Sequence, residues 1–156
     1  MKQLSAEEFY SRMAARCSQR EYCRSDVLRK APEAGLSRED ALRLANRLEA
    51  EGFIDENRYA RAFAHDKTLY DHWGRLKTRQ ALAMRGISNS DIAEALAAID
   101  EDEYSEIVRA TMEAKARTLH ADSPYALRQK LLRFAASRGF ELNIVQQQTN
   151  ISYGED

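Results

Sequence analysis

Apolar residues recur along the chain at the spacing of amphipathic helices. Ala41, Leu44, Ala45 and Leu48 stand at positions i, i+3, i+4 and i+7, which brings them to one face of a helix. The pattern returns twice, first at Ile92, Ala95, Leu96 and Ile99 and then at Tyr104, Ile107, Val108 and Thr111. No segment shows a convincing alternation of apolar and polar residues, as a half-buried strand would. The pattern therefore predicts an all-α fold.

Residues that favour helix ends stand around these apolar stretches. Ser37 and Ser88 are expected N-caps, each with an aspartate three positions later, and Ser123 is expected to cap a helix that begins with the following proline. Helices are predicted to stop at Gly35, Gly52, Gly74, Gly86 and Gly139. The segment FELNIV (140–145) has the composition of a strand, but its place among helices predicts the start of a last helix.

Three segments share one order of features: a basic amphipathic helix, a glycine, one large apolar residue and a second helix. They begin at Val27, Thr78 and Leu127, and their glycines follow one another at intervals of roughly 50 residues, a length typical of helical repeats. The first two segments continue with Ile-Asp before a helix whose first large apolar residue is Tyr59 or Tyr104. The repeating unit is therefore predicted to contain three helices.

These repeats predict the organisation of the whole chain. We place a helical lead-in at 1–20, repeat one at 21–72, repeat two at 73–120, an incomplete repeat three at 121–147 and a flexible tail at 148–156. Because one helix pair cannot bury its apolar face alone, the repeats are expected to stack into an elongated, curved, solenoid-like chain. Such a chain presents a long face to a partner.

The stretch FIDENRYARAF (53–63) is predicted to join the second and third helices of repeat one. Phe53 and Ile54 are expected to anchor the turn, and Asp55 is expected to cap the next helix. Arg58, three positions after this cap, is expected to reach back to the Asp55 carboxylate.

Charge and composition narrow the classes of function. The formal net charge is −1, so no global field attracts nucleic acid, and any contact with it must come from a local basic patch. No apolar run approaches the ~20 residues of a membrane span, and the first residues do not form a secretory signal, which predicts a cytoplasmic protein without membrane contact. Cys17 and Cys23 lack the spacing of a metal-ligand pair and are expected to be reduced thiols.

One weak candidate for catalytic chemistry exists. His65, Asp66, Asp71 and His72 fall within one stretch, and they allow the hypothesis of a metal-dependent hydrolase with both histidines on one helical face. No third histidine–acid cluster accompanies them, and the sequence lacks the motifs of nucleotide-binding loops, zinc proteases and serine hydrolases. A solvated helix is the simpler interpretation, so we predict no catalysis, no metal and no cofactor.

Basic residues concentrate on the first helices of repeats two and three. Two interpretations stay open: solvated faces that pair between repeats, or a polarised surface that meets an acidic protein or the DNA backbone. The recurrence favours the second, which assigns partner binding to Arg75, Lys77, Arg79, Arg85, Arg128, Lys130, Arg133 and Arg138. The opposite faces of these helices carry Leu76, Leu82, Leu127 and Leu131, so the charges are expected to reach solvent. Trp73 is interpreted as a wedge between repeats rather than a base-stacking platform.

Three successive segments, FIDENRYARAFAHDK, GRLKTRQALAMRGIS and IAEALAAID, resemble the RecX family of bacterial regulators of the RecA recombinase. The weaker segment LRQKLLRFAASRGFELNIV is similar to that family's last repeat, so the resemblance covers nearly the whole chain. It implies a structural role for the motif residues Phe53, Ile54, Asp55, Arg58, Tyr59, Gly74, Gly86 and Gly139.

The resemblance implies tandem three-helix repeats and a regulator without catalysis. Such a protein would bind in the deep helical groove of the RecA–DNA filament, damp ATP hydrolysis and strand exchange, and act in recombination, DNA repair and the SOS response. The near-neutral charge limits direct DNA binding to weak, nonspecific contact, and we expect a monomer. The alternative is a sequence-specific DNA-binding regulator of the helix-turn-helix type, against which stand the missing wing strands after Ile54 and the lack of a single recognition helix.

Overall fold

The computed structural model describes residues 3–149, and the regular structure in that range is entirely helical. Its nine helices are α1 (Ala6–Cys17), α2 (Arg24–Glu33), α3 (Arg38–Ala50), α4 (Glu56–Leu69), α5 (Arg75–Met84), α6 (Asn89–Ala97), α7 (Glu101–Ala116), α8 (Pro124–Arg138) and α9 (Leu142–Gln148). The prediction of an all-α fold is confirmed, and the last four residues of FELNIV begin α9. None of these nine helices is long and apolar enough to cross a membrane.

Side-chain caps fix the starts of α1, α3, α4, α6, α7 and α8. A serine precedes four of these helices, and Asp55 and Asp100 precede α4 and α7; in each case the side-chain oxygen accepts a hydrogen bond from a backbone N–H of the first turn. Such a cap satisfies a donor that has no partner within the helix and contributes about 1 kcal/mol. The predicted caps at Ser37, Ser88 and Ser123 are confirmed.

Glycines end helices at four turns but not at the fifth predicted position. Gly35, Gly52, Gly86 and Gly139 have φ angles between +76° and +87°, a left-handed conformation that is costly for residues with a β-carbon. Gly74 instead has a φ of −79° and is the N-cap of α5. The prediction that a helix stops at Gly74 is therefore wrong, because α4 ends several residues earlier.

Burial divides the helices into three consecutive units, α1–α3, α4–α6 and α7–α9, each around its own apolar cluster. The largest buried side chains include Met13 and Leu48 in the first unit, Leu82 in the second, and Tyr104 and Phe140 in the third. The core is thus a row of small clusters in chain order, and Ile99 packs against both the second and the third. This is the predicted architecture of tandem three-helix repeats in a solenoid-like chain.

The packing units and the predicted repeat boundaries differ in phase. The boundaries at 20/21, 72/73 and 120/121 each separate the first helix of a unit from the two helices that share its cluster. The predicted lead-in supplies Phe9 and Met13 to the first cluster, and α4, predicted as the last helix of repeat one, packs against α6. The sequence repeat gives the length of the unit, which is three helices, but not which helix comes first. Burial shows which three helices pack together. The predicted tail lies outside the described residues except for its first two positions.

Candidate partner-binding surface

The joint between α3 and α4 is a structural element that connects the first two units. Ile54 is buried, whereas Phe53 is half-buried and meets the Tyr10 ring edge to face at 6.2 Å. Asp55 accepts a hydrogen bond of 3.0 Å from the backbone N–H of Arg58. The turn is therefore anchored mainly by Ile54, and only partly by Phe53.

Arg58 does more than reach back to its cap. Its guanidinium lies 3.9 Å from the Asp55 carboxylate, but its Nε donates a shorter hydrogen bond of 2.5 Å to Glu21, in the loop between α1 and α2. Tyr59, the next residue, is buried among the side chains of the second unit, and this burial raises the pKa of its phenol to about 12. Tyr59 is therefore a structural residue, and Arg58, whose side chain is 41% exposed, ties α4 to the loop between α1 and α2.

Arg75 also belongs to the scaffold, contrary to the expectation that its charge reaches solvent. Its side chain is 14% exposed and forms ion pairs with Glu101 at 2.7 Å and Glu141 at 2.9 Å. The guanidinium lies 4.0 Å from the centre of the Tyr104 ring. The Tyr104 hydroxyl donates to Glu141 and accepts from the backbone N–H of Arg75, and burial raises the pKa of this phenol. The network ties α5 to both α7 and the start of α9.

Backbone contacts beside Arg75 join the second and third units. The N–H of Gly74 donates to the carbonyl of Arg138 at 2.6 Å, and the N–H of Leu76 donates to the carbonyl of Gly139 at 3.0 Å. A β-carbon at Gly74 would lie 2.1 Å from the Gly139 carbonyl oxygen. The glycine at position 74 is therefore required by close approach of two backbones and not by a turn.

The other seven predicted contact residues remain without an ion pair to any carboxylate in residues 3–149. Arg79, Lys130 and Arg133 are exposed, and the half-buried members are Lys77, Arg85, Arg128 and Arg138. Of the leucines expected on the opposite faces, Leu82 and Leu131 are buried, Leu127 is half-buried and Leu76 is 42% exposed. Most of the predicted set thus retains unneutralised charge at the surface of α5 and α8.

Aromatic rings position several of these cations. The Lys77 ammonium lies 4.4 Å from the centre of the Trp73 ring, and the Arg85 guanidinium lies 4.7 Å from that of Phe63. The Arg138 guanidinium lies 5.4 Å from the centre of the Phe134 ring and also donates a hydrogen bond of 3.1 Å to the carbonyl of Asp71. Such cation–π contacts contribute about 0.5–1 kcal/mol each at exposed sites.

Two cations of this surface, Lys67 and Lys115, were missed by the sequence analysis. Lys67 lies 4.7 Å from the centre of the Trp73 ring and Lys115 lies 5.1 Å from that of Phe134. Lys67 lies on α4 and Lys115 on α7, each the first helix of its packing unit. The sequence pattern instead drew attention to α5 and α8, which are the second helices of the packing units. Their position in the last turn of a helix was the signal that could have pointed to them.

Comparison with known proteins agrees with this division into units. The model of the second three-helix domain of RecX matches residues 55–96, which cover all but the last residue of α4–α6. The model of the third three-helix domain matches residues 101–147, which cover all but the last residue of α7–α9. The chain belongs to the RecX family.

Relatives along most of the chain carry the same family name. "Regulatory protein RecX" of Leptothrix cholodnii is 33% identical over 82% of this chain and 78% of its own length, and that of Chromohalobacter salexigens is 32% identical over 83% and 82%. The fold matches a crystal structure of regulatory protein RecX with a TM-score of 0.83 at 23% identity, over 93% of this chain and 71% of the other. RecX from Lactobacillus salivarius matches with a TM-score of 0.77 at 17% identity, over 92% and 93%.

The two histidines of the stretch 65–72 do not come together. His65 lies on α4 with its Nδ1 3.3 Å from Asp66, whereas His72 follows the end of the helix with a φ of +55°. The expectation that both share one helical face is wrong, because α4 ends at Leu69. They line different grooves, and the described part of the chain contains no group of three or more metal-ligating side chains. Cys17 and Cys23 are free thiols.

Proposed function

We propose that this protein regulates RecA by binding in the groove of the RecA–DNA filament, and that it lowers the rates of ATP hydrolysis and strand exchange. Membership of the RecX family supports a regulatory role. The choice of contact surface rests on one observation, the set of unneutralised cations on α5 and α8. Cations without carboxylate partners retain their attraction for an acidic surface, whereas paired ones have already lost most of it.

The contact set in this proposal differs from the sequence-based set by one residue. Arg75 is excluded because Glu101 and Glu141 neutralise it within the fold. The set is therefore Lys77, Arg79, Arg85, Arg128, Lys130, Arg133 and Arg138. We further propose that the protein acts as a cytoplasmic monomer and without catalysis, which agrees with the name regulatory protein of its relatives.

The alternative of a sequence-specific DNA-binding regulator has less support. A winged-helix domain would continue from Ile54 into a β-hairpin, but here α4 begins at Glu56. The exposed cations are spread over two helices rather than concentrated on one recognition helix. Equal affinity for oligonucleotides of unrelated sequence would exclude this alternative.

The test of the proposal is the rate of ATP hydrolysis by RecA on single-stranded DNA, measured with and without this protein. A fall in rate that saturates with added protein supports the proposal. A rate unchanged at concentrations well above that of the filament contradicts it. Strand exchange between homologous DNA molecules, measured in the same samples, then shows whether both activities fall together.

A further inference from the structure

A pocket of about 510 Å³ opens between the second and the third unit. Its walls come from α4 and the end of α6 in the second unit and from the residues that begin α7 in the third. The volume lies within the range of about 300–1,000 Å³ that is typical of binding pockets. Apolar side chains form much of the lining, namely those of Ala62, Leu69, Ala95, Ala98 and Ile99. The cations on α5 and α8 that are proposed to contact the partner do not line this pocket.

Thr68 brings an unpartnered hydroxyl to the pocket. The residue lines the pocket from α4, is 0% exposed, and its Oγ1 has no hydrogen-bond partner among residues 3–149. Thr78, which is buried to the same extent, shows the usual arrangement, because its hydroxyl donates a hydrogen bond of 3.0 Å to the carbonyl of Gly74. Burial of a hydroxyl without a partner costs free energy. A bound group that satisfies the Thr68 hydroxyl would therefore gain binding energy without breaking a bond of the fold.

The rim of the pocket carries unpaired charge that is mainly negative. Its ionisable residues are Arg58, Arg61, His65, Asp66, Asp100 and Glu103. Glu21 neutralises Arg58, and His65 lies beside Asp66. Arg61, Asp100 and Glu103 form no ion pair within the described part of the chain. Two unpaired carboxylates thus face one unpaired guanidinium, whereas the surface of α5 and α8 is cationic.

We infer that this pocket receives an apolar side chain of RecA. A lysine or arginine next to that side chain pairs with Asp100 or Glu103, and a polar group of the same segment forms a hydrogen bond with the Thr68 hydroxyl. This inference rests on the proposed function, because that function names RecA as the partner. DNA does not suit the pocket, because the carboxylates at its rim repel phosphate, whereas they attract a basic protein segment. An apolar pocket is also the place where one inserted side chain contributes most to a protein interface.

The test measures binding of the full chain, labelled at its N-terminus, to RecA assembled on oligothymidine, by fluorescence anisotropy. Ala98→Phe fills the pocket from an exposed position directly after α6. It should weaken binding about tenfold or more, because the new ring occupies the place of the inserted side chain. The matched control is Ala93→Phe, at an exposed position of α6 outside the lining, and it should leave the affinity unchanged. Thermal melts establish that both variants are folded.

Glu103→Lys tests the charged part of the contact. Glu103 is exposed in the first turn of α7, so the reversal should leave the fold intact and weaken binding to the RecA filament about two- to fivefold. The matched control is Glu39→Lys, an exposed carboxylate in the first turn of α3 that likewise lines no part of the pocket rim. Because the two variants have the same net charge, only the position differs. Added salt should reduce the difference between their affinities.

Thr68→Val removes the unpartnered hydroxyl but keeps the shape of the side chain. The free energy of unfolding in urea should stay the same or rise, because no hydrogen bond of the fold is lost. Binding to the RecA filament should weaken about two- to tenfold through the loss of one hydrogen bond to the partner. Thr78→Val is the control for stability. It breaks the bond to Gly74 and should lower the free energy of unfolding.

Several results would overturn the inference. Equal affinities of Ala98→Phe and Ala93→Phe would show that the pocket takes no part in binding RecA. A fall in binding to oligothymidine without RecA, caused by Ala98→Phe, would assign the pocket to DNA. Self-association of the unmodified protein that Ala98→Phe abolishes would assign it to a second copy of the chain. Equal affinities of Glu103→Lys and Glu39→Lys would contradict the ion pair, and unweakened binding of Thr68→Val would contradict the hydrogen bond.

The inference and the proposed function fail in different ways. Inhibition of RecA ATP hydrolysis by the unmodified protein tests the function, whereas the affinity of Ala98→Phe for the filament tests the pocket. If the unmodified protein binds the filament through the pocket but does not lower the rate of hydrolysis, the proposed function alone is wrong. If the unmodified protein lowers that rate and Ala98→Phe binds and inhibits as well as Ala93→Phe, the inference alone is wrong.

Discussion

The backbones of Gly74 and Gly139 lie so close that a β-carbon at position 74 would stand 2.1 Å from the carbonyl oxygen at position 139. Gly74 precedes α5 and Gly139 follows α8, so the contact joins the second unit to the third. Two backbone hydrogen bonds, from Gly74 to Arg138 and from Leu76 to Gly139, hold it in place. The two units are thus fixed to one another by main chain as well as by side chains.

Gly74→Ala should destabilise the protein although its backbone conformation suits alanine. The φ angle of −79° is ordinary, but the added methyl group meets backbone atoms that cannot move aside as a side chain can. We expect a loss of about 3 kcal/mol in the free energy of unfolding, the upper end for overpacking. Urea denaturation measures it.

The matched control for this change is Gly52→Ala. Gly52 has a φ of +82°, and no atom lies within 4 Å of the position that an added methyl group would take. Alanine there should cost about 1–2 kcal/mol through backbone conformation alone. If Gly74→Ala proved no more destabilising than Gly52→Ala, the close approach at the contact of the units would be relaxed in solution.

Arg75 should behave as a structural residue and not as a contact residue. Arg75→Met leaves Glu141 half-buried beside Tyr104 without its cation, and we expect a loss of roughly 2–4 kcal/mol, since a broken buried pair leaves an uncompensated charge. The control is Arg109→Met. Arg109 pairs with Glu106 and Glu113 on the exposed side of α7, where ion pairs contribute little. Equal stability of the two variants in urea would place Arg75 among the solvated cations.

At the joint before α4, the loss of stability caused by an alanine substitution should be largest for the most deeply buried side chain. Ile54 is 1% exposed, and Ile54→Ala should cost roughly 2–5 kcal/mol. Phe53→Ala should cost less than the usual value for a buried phenylalanine, because this side chain is only half-buried. Asp55→Ala should cost about 1 kcal/mol through loss of the N-cap. A larger loss of stability for Phe53→Ala than for Ile54→Ala in urea would contradict this order.

Local features of the fold were predictable from the sequence, because they depend on interactions between residues that are close together along the chain. Serine and aspartate caps, the glycines at left-handed turns and the helical spacing of apolar residues all act within a few residues of one another. Ser37, Ser88 and Asp55 accordingly cap helices as predicted. The phase of the units was not predictable in the same way, since it depends on which helices share a buried cluster.

The candidate surface was predicted only in part, for a related reason. The exposure of Arg79 and Arg133 follows from the helical positions of nearby apolar residues. The partners of Arg75 do not, because Glu141 is far away in sequence and is brought near by the contact of Gly74 with Gly139. Long-range contacts of this kind decide whether a cation is neutralised, and no local pattern encodes them.

Stability should fall steeply above pH 10. Burial raises the pKa of Tyr59 to about 12, against about 10 for an unfolded tyrosine, and burial also raises the pKa of Tyr104. Below pH 10 these phenols are neutral in both the folded and the unfolded state, so their ionisation does not change the free energy of unfolding. Between pH 10 and 12 the unfolded state ionises first, and the free energy of unfolding therefore decreases as the pH rises.

Tyr59→Phe isolates the contribution of one phenol to this pH dependence. The variant has no proton to lose at position 59, so the urea midpoint should decline less between pH 10 and 12 than in the unmodified protein. Far-ultraviolet circular dichroism at neutral pH establishes that the variant is folded. A decline identical to that of the unmodified protein would mean that Tyr59 ionises in the folded state as readily as in the unfolded one.

Charge reversal on α8 should separate partner binding from folding. Arg128, Lys130 and Arg133 have no carboxylate partner in the described range, and the buried face of their helix is made by Leu131 and Ala135. Replacing the three cations by glutamate should leave helix content unchanged, because Lys130 and Arg133 are exposed, Arg128 is only half-buried, and charges at the surface contribute little to stability. It should weaken inhibition of RecA ATP hydrolysis severalfold or more and flatten the dependence of inhibition on salt, because fewer favourable charge contacts remain to be screened.

The matched control for the α8 reversal is the same triple change at Arg12, Arg16 and Arg38 of the first unit. These residues are exposed and likewise unpaired with any described carboxylate, so the change in net charge is identical and only its position differs. Inhibition should persist in this control at low salt. If both triple variants lost potency equally, attraction would depend on net charge and not on a docking face. If the α8 variant inhibited as well as the unmodified protein, the contact surface would lie elsewhere, and the acidic start of α7 from Asp100 to Glu103 would be the next face to reverse.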